Sequence, residues 1–375
     1  MKILIVATVQ SHICQFHRPL VQMLHDHGCE VHVAARDNLA EKNGLKLDFA
    51  DRVFDVPFER SPFNKRNLTA YKQLKKIVDD GNYDAVHTNT PVGGIVGRLA
   101  ARKARKSGCK VIYTAHGFHF FKGGSIKSWL IYYPIERFMC RYTDLLITIN
   151  DEDYALAKAH FKVQTEHIHG IGANSEKYRT VWDDAHIALK KRLGYEDTAL
   201  LLCTGELNAN KNQVTAIRAM PGVVKNVPNA KLLLAGNGPL VSQLEDEVKR
   251  LGMTDFIELL GYKTNLQEYV NAADLIVSCS RREGLPVNII EGMLCEKAVV
   301  ASINRGHKEL VEDGVTGYLL PSDDPQKFSE KIAALLIDPK VSHEMGRAGK
   351  EKAAAYTDKA VYRELEQVYR SIGVI

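Results

Sequence analysis

Two glutamates, Glu283 and Glu291, flank the stretch Gly284-Leu285-Pro286-Val287-Asn288-Ile289-Ile290 in the final third of a 375-residue chain. An apolar, β-branched run precedes them and a helical pattern follows, so the segment reads as strand, loop and helix. Pro286 suits the first helical turn, where a missing N–H costs nothing. Glu283 then lies in the loop at the carboxyl end of a strand, where open α/β sheets bind ligands, and Glu291 projects from the second helical turn. Two carboxylates beside a helix N-terminus can accept hydrogen bonds from sugar hydroxyls while the free N–H groups hold a phosphate. The plainer roles are dipole compensation by Glu283, worth about 0.3–1 kcal/mol, and a solvated surface position for Glu291.

Other strand ends carry candidate chemistry. Gly236-Asn237-Gly238-Pro239 follows an apolar run; its glycines permit close backbone approach, but Val241 stands where a dinucleotide fingerprint requires a third glycine. Thr204-Gly205-Glu206-Leu207-Asn208-Ala209-Asn210-Lys211 follows another such run, and Thr114-Ala115-His116-Gly117-Phe118-His119 a third. An imidazole at His116 can hydrogen-bond a hydroxyl and stabilise developing charge. Eleven of the 14 histidines lie before residue 171, so placement at a strand end is what separates His116 from the others. Asp151-Glu152-Asp153 has the look of an Asp-x-Asp metal site, yet its position opening a helix points to capping and dipole compensation.

The Glu283 to Glu291 segment resembles the Glu-x7-Glu motif of retaining glycosyltransferases of family 4, and the resemblance extends over nearly the whole chain. It implies the GT-B fold of two facing Rossmann-like domains. It also implies that Glu283 contacts hydroxyls of a donor sugar, that Glu291 holds the ribose of its nucleotide, and that Lys211 addresses the diphosphate. Gly236, Gly238, Arg282 and Gly284 complete the donor set, and His116 corresponds to the family's active-site histidine, which reaches the donor sugar across the cleft. The family commonly has arginine where this chain has Glu206; Arg281, Arg282 or Arg305 would supply the missing cation. Arg281-Arg282-Glu283-Gly284-Leu285-Pro286 and Asn304-Arg305-Gly306-His307 together resemble members that build bacterial capsules and exopolysaccharides. On the acceptor side the expected contacts are Ser11, His12 and His119, with Ser11 alternatively capping a helix from His17 to His27. The resemblance implies no cofactor and no metal.

These side chains need a scaffold, and short β-rich runs alternating with helical patterns provide one: an α/β protein with parallel sheets. The expected strands are Ile3–Thr8, Glu30–Ala35, Arg52–Val56, Asp84–Thr88, Lys110–Thr114 and Asp144–Ile149, then Ala199–Thr204, Ala230–Ala235, Phe256–Leu260, Leu275–Cys279 and Ala298–Ser302. The small-residue stretch from Gly170 to Ser175 reads as a linker. The resulting plan is an acceptor domain at 1–170, a nucleotide-sugar domain at 171–355 and a segment, 356–375, returning to the first domain as a helix with the stripe Val361, Leu365, Val368 and Tyr369.

The composition, 45% hydrophobic and 25% charged, excludes disordered and coiled-coil classes and supplies two cores. Seven scattered cysteines without Cys-x-x-Cys argue against a zinc site or a disulfide framework and suit a reducing compartment. The first strand lacks a signal-peptide cleavage site and no apolar run is long enough to span a bilayer, so a cytoplasmic protein is expected. Of 50 Lys+Arg and 45 Asp+Glu, residues 1–170 hold 24 and 17, a net +7, leaving 26 and 28 for the remainder, a net −2. Arg98, Arg102, Arg105 and Lys106 at helical spacing, with Trp129, Tyr132 and Tyr133 nearby, suggest docking on the anionic inner face of a membrane. No recognition motif accompanies the charge, so nucleic acid is not an expected partner.

The reading is a retaining glycosyltransferase transferring a hexosyl or N-acetylhexosaminyl group, most simply from a UDP-sugar, to a saccharide or lipid-linked acceptor. Its rivals are a UDP-sugar epimerase of the same plan and a non-catalytic nucleotide-sugar-binding protein.

Overall fold

Strands that are apolar on both faces cannot border water, so they pair in parallel and are buried between layers of helix. The computed structural model describes residues 1–41, 44–181 and 183–375. The chain divides into two units, one of residues 1–172 with 358–375, the other of residues 173–357. The first unit contains β1 (Lys2–Val9), β2 (Glu30–Arg36), β3 (Arg52–Asp55), β4 (Ala85–Asn89), β5 (Lys110–Ala115), β6 (Leu145–Thr148) and β7 (Gln164–His167), in the spatial order β3-β2-β1-β4-β5-β6-β7. The second contains β8 (Ala199–Thr204), β9 (Ala230–Ala235), β10 (Ile257–Gly261), β11 (Leu275–Ser278), β12 (Ala298–Ser302) and β13 (Gly317–Leu320), in the order β10-β9-β8-β11-β12-β13. All these pairings are parallel.

Each sheet grows outward in both directions from its first strand. The winding therefore reverses between β1 and β4 in one unit and between β8 and β11 in the other, and connecting segments diverge at the carboxyl ends of those strands. Alternation within a strand serves both helix layers: Leu201 and Cys203 enter one core with Val277 and Phe328, whereas Leu200 and Leu202 enter the other with Ile276 and Ile289. Eleven strands fall on the runs expected. The other two, β7 and β13, are edge strands whose sequences, Gln164-Thr165-Glu166-His167 and Gly317-Tyr318-Leu319-Leu320, carry no clear β pattern and are made strands by their neighbours.

The apolar stripe of helix Asp358–Ser371, at Val361, Leu365, Val368 and Tyr369, is buried in the first unit. There the Tyr369 hydroxyl meets His87 Nδ1 at 2.6 Å, and Tyr362 donates to Asp26 at 2.8 Å. The two strands of chain that join the units run side by side, so a Cβ at Gly172, whose φ is +78°, would lie 2.7 Å from Asp358 Cα.

Only part of the cationic helix face stays outside: Arg102 and Lys106 are exposed, whereas Arg98 and Arg105 find partners. In helix Pro91–Lys106, Gly94 and Gly97 let the helix settle onto the sheet, where a Cβ at either would come within 2.5 Å of Tyr113 or Thr88. Arg98 is drawn inside with them: its guanidinium lies 3.9 Å from the Tyr113 ring centre and donates to Glu136 at 2.8 Å and to the Gly94 carbonyl at 2.9 Å. Arg105 is paired with Asp144 at 2.8 Å. Trp129, Tyr132 and Tyr133 pack against the core cluster around Phe118 and Phe120. Among the described residues no helix is long and apolar enough to cross a membrane.

Removing one partner of a buried ion pair leaves an uncompensated charge. Glu136→Ala is expected to cost about 3–5 kcal/mol in urea unfolding, and pairing Arg98→Met with Glu136→Leu to recover most of it; equal losses in the single and double variants would contradict this.

Candidate functional site

In the second unit, loops leaving both sides of the switch point meet. Lys211, in the segment after β8, donates through Nζ to Glu283 Oε1 at 2.7 Å, and Glu283 sits in the loop after β11. The same two segments are tied by backbone, with Arg281 N–H on the Asn210 carbonyl at 2.8 Å and Asn210 Nδ2 on the Arg282 carbonyl at 2.9 Å. Helix Arg305–Leu310 closes against Glu283 so tightly that a Cβ on Gly306 would lie 2.9 Å from that of Glu283. The site is a carboxylate and an ammonium held at the carboxyl edge of the sheet, beside helix Val287–Leu294, whose first turn has no side-chain cap.

Glu291 projects from that helix and is half-buried. Loss of water pushes its carboxyl up to about 7, against a hydrogen bond from Tyr178 and the charge of Lys177, which pull the other way.

The glycines of the 236–239 turn have a reason internal to the protein. A Cβ at Gly236 would lie 1.9 Å from the Gly205 carbonyl oxygen, and one at Gly238 would lie 2.2 Å from that of Leu207. The turn is therefore packed directly on the 205–211 segment, joined by Leu207 N–H to the Asn237 carbonyl at 2.9 Å. Glu206 is exposed and accepts from Asn208 Nδ2 at 3.1 Å. Of the three arginines considered as replacement cations, Arg281 makes two hydrogen bonds to Asp323, at 2.8 and 2.7 Å, and Arg305 donates to the Glu283 carbonyl at 3.4 Å. Arg282 is exposed in the loop between Arg281 and Glu283.

Two positioning devices escaped the sequence reading. Asn212, in the left-handed region at φ 54°, uses one amide to bind Thr215 and the carbonyls of Cys279 and Ser322, pinning the Lys211 segment to the neighbouring strand end. His307, noticed only as part of a motif, is buried between Ser278 and the Ser302 carbonyl, with Asn304 capping its helix and binding the Ser280 carbonyl. Burial holds its imidazole down to about 4, so it acts as a neutral strut. Asn is a common cap and left-handed residue, but its partners lie up to 110 residues away.

In the first unit the switch point gathers histidines. His12 Nε2 lies 3.4 Å from His116 Nε2, which is also 3.1 Å from Asn89 Oδ1 at the end of β4. His17 joins them; the three imidazoles bring ring nitrogens within 4.8 Å of one another, a spacing that a metal ion could use. With Asn89 Oδ1 accepting, however, His116 Nε2 carries a proton and not an open lone pair. Among the described residues the buried His17 Nε2 has no hydrogen-bond partner, and it borders a cavity of about 20 Å³ shared with His87, Thr114 and His116, room for one water. Burial depresses all of these imidazoles, His116 to about 4 and His87 to about 3, so they are neutral at physiological pH.

The expected acceptor residues part company. His12 is with His116, whereas Ser11 is buried with its Oγ accepting from Asn38 Nδ2 at 2.9 Å and its N–H bound to Asn38 Oδ1 at 3.0 Å. Ser11 caps nothing, because the segment after β1 is itself the helix Gln10–Phe16 and the next helix begins at Arg18. His119 lies against Tyr132, ring centres 4.6 Å apart. At the Asp151-Glu152-Asp153 segment the helix is capped by Asn150, and Asp153 is buried, accepting from the Phe118 N–H at 2.9 Å.

Comparison with known proteins follows the same division. Residues 2–150 match the family described as Glycosyl transferase 4-like, and residues 186–352 match Glycosyl transferases group 1. The chain is 40% identical to the "Putative glycosyltransferase EpsD" of Bacillus subtilis (strain 168), over 98% of this chain and 96% of that one. It is 28% identical to the Escherichia coli UDP-Gal:alpha-D-GlcNAc-diphosphoundecaprenol alpha-1,3-galactosyltransferase, over 84% and 83% respectively. Among solved structures, Anabaena HepE in complex with UDP and glucose superposes with a TM-score of 0.80 at 22% identity, covering 99% of this chain and all of the other.

Because the folded carboxyl of Glu291 titrates above its unfolded value, its ionisation costs stability as pH rises from about 4.5 to about 7, and the full cost is present above that. Relative to the wild type, the unfolding free energy of Glu291→Gln is therefore expected to rise between about pH 5 and pH 7, by up to about 1.4 kcal/mol per pH unit, and then to level off; an unchanged difference across that range in urea unfolding would contradict the assignment.

Proposed function

The chain belongs to the GT-B glycosyltransferases, and on that premise we propose that it is a retaining enzyme of family 4. It moves a hexosyl or N-acetylhexosaminyl group from a UDP-sugar to a saccharide or lipid-linked acceptor in assembling a bacterial surface polysaccharide. It works in the cytoplasm, at the inner face of the membrane. The Lys211–Glu283 pair, set at the switch point of the second sheet with Glu291 in the adjoining helix, carries the reading. Support comes from the names of the relatives: one is an Eps protein, one uses UDP-Gal with a diphosphoundecaprenol-linked acceptor, and a structural neighbour holds UDP and glucose.

In this reading the donor diphosphate competes with Glu283 for the Lys211 ammonium. Lys211 turns to the phosphates, and Glu283, relieved of its partner, accepts hydrogen bonds from the sugar hydroxyls. Glu291 binds the ribose, and the uncapped N–H groups of helix Val287–Leu294 face the phosphates. The backbone at Gly236, Gly238 and Gly284 lines the donor, and exposed Arg282 supplies the cation that Glu206 does not. Lys211, Arg282 and those N–H groups carry the diphosphate charge, so the reaction calls for no cofactor and no metal ion.

His116 in the first unit serves the donor sugar, and His12 and His119 the acceptor, in the roles that the family resemblance gives them. As the family resemblance implies, the bond between C1 and the phosphate oxygen breaks while the acceptor oxygen attacks the same face, and the departing phosphate oxygen takes the acceptor proton.

The test is to incubate the protein with UDP-, GDP- and dTDP-sugars and saccharide or polyprenyl-diphosphate-linked acceptors. Transfer from a UDP-sugar with retained configuration is expected. Glu283→Gln should lower kcat by about 100-fold with little change in UDP affinity, because sugar contacts strengthen toward the transition state. Lys211→Ala should weaken UDP binding by about 10-fold or more, as befits a lost charge-assisted hydrogen bond. An inverted product, or wild-type kinetics in both variants, would refute the proposal.

A further inference from the structure

Helix Ile126–Met139 turns its apolar side outward. Ile126 is 78% exposed, Leu130 71%, Ile131 43% and Phe138 47%, and Pro134 between them is exposed as well. These positions recur every three or four residues along one face. The opposite face is already satisfied: Trp129, Tyr132 and Tyr133 pack on the Phe118–Phe120 cluster, Trp129 Nε1 donates to the Phe121 carbonyl at 3.1 Å, and Met139 is buried. The outward residues are thus surplus to the core.

Charge identifies what covers them. Lys122, Lys127, Arg137 and Arg141 are exposed along the helix and at both its ends, and the Arg141 guanidinium rests 5.3 Å from the Phe138 ring. The helix has a single carboxylate, Glu136, and it is turned inward onto Arg98. The helix face is therefore apolar and carries cations, with Glu152, which accepts from the Lys122 N–H at 2.7 Å, at its N-terminal edge. A second copy of this chain is a poor occupant, since apposing two such faces would bring like charges together. At 14 residues, about 21 Å long, the helix is too short to span the roughly 30 Å hydrocarbon core.

We propose that this face docks in the plane of an anionic phospholipid bilayer, with Ile126, Leu130, Ile131 and Phe138 in the interface and the four cations among the headgroups. The site is distinct from the Arg98–Lys106 face suggested by sequence. Through the Tyr132–His119 contact the docked helix backs onto the loop that carries His116.

The test uses the full chain and phospholipid vesicles in a flotation assay. Binding to phosphatidylglycerol-containing vesicles is expected, falling at least about tenfold for pure phosphatidylcholine or when salt rises from about 0.1 to 0.5 M. Lys127→Glu with Arg137→Glu should reduce binding by roughly 25-fold or more, at about fivefold for each charge lost. Leu130→Glu with Phe138→Glu should reduce it at least as much. Both double variants should keep the wild-type melting temperature, UDP affinity and transfer to a water-soluble acceptor, because none of these residues belongs to the donor or acceptor sites. Equal binding to neutral and anionic vesicles, unchanged binding by both double variants, or a dimer in sedimentation that Leu130→Glu dissociates would overturn the proposal. Transfer is read separately, so failure of membrane docking leaves the proposed reaction standing, and the reverse.

Discussion

The constraint on which the rest depends is the reversal of winding in a parallel sheet. All strands of such a sheet end at the same edge, and where successive connections begin to run in opposite directions the loops part. In the second unit that point lies between β8 and β11, and the residues leaving those strands are Lys211 and Glu283, in contact at 2.7 Å. In the first it lies between β1 and β4, where His12 and Asn89 converge on His116. The two polar clusters occupy equivalent places in two sheets of different sequence because topology, rather than local composition, leaves room there.

Burial shifts titratable groups in both clusters. Glu291 is pushed up to about 7 and His116 down to about 4, both chiefly by loss of water. A shifted group is not by itself a site. Lys297 is held down to about 8 at the opposite, amino edge of the second sheet, yet it donates to the Asn271 carbonyl beside the Lys190–Asp274 pair. That arrangement fastens strand beginnings. Glu291, by contrast, lies on the helix that follows the Glu283 loop, near the edge where ligands enter such folds.

The uneven charge of the chain acquires a physical location. Arg98 and Glu136 cancel each other under a glycine-packed helix and add nothing to the +7 of residues 1–170. Part of that excess lines the outward apolar face of helix Ile126–Met139. The aromatic residues that drew attention to this region face inward, and the aliphatic residues between them face out. One helix thus separates the two properties that a linear reading merged.

What the sequence by itself determined is whatever local pattern encodes: eleven of the thirteen strands among the described residues, the C-terminal amphipathic helix, and the strand–loop–helix setting of Glu283 and Glu291. Those follow from periodicity and turn chemistry within a dozen residues. The tertiary structure decided what depends on distance between remote segments. It committed Arg281 to Asp323, buried Ser11 against Asn38, and explained Gly236 by the Gly205 carbonyl. It also assembled His12, His17 and His116 across 104 residues and chose which side of helix Ile126–Met139 meets the outside. Side chains with the same local signature differ there only in what the fold places opposite them.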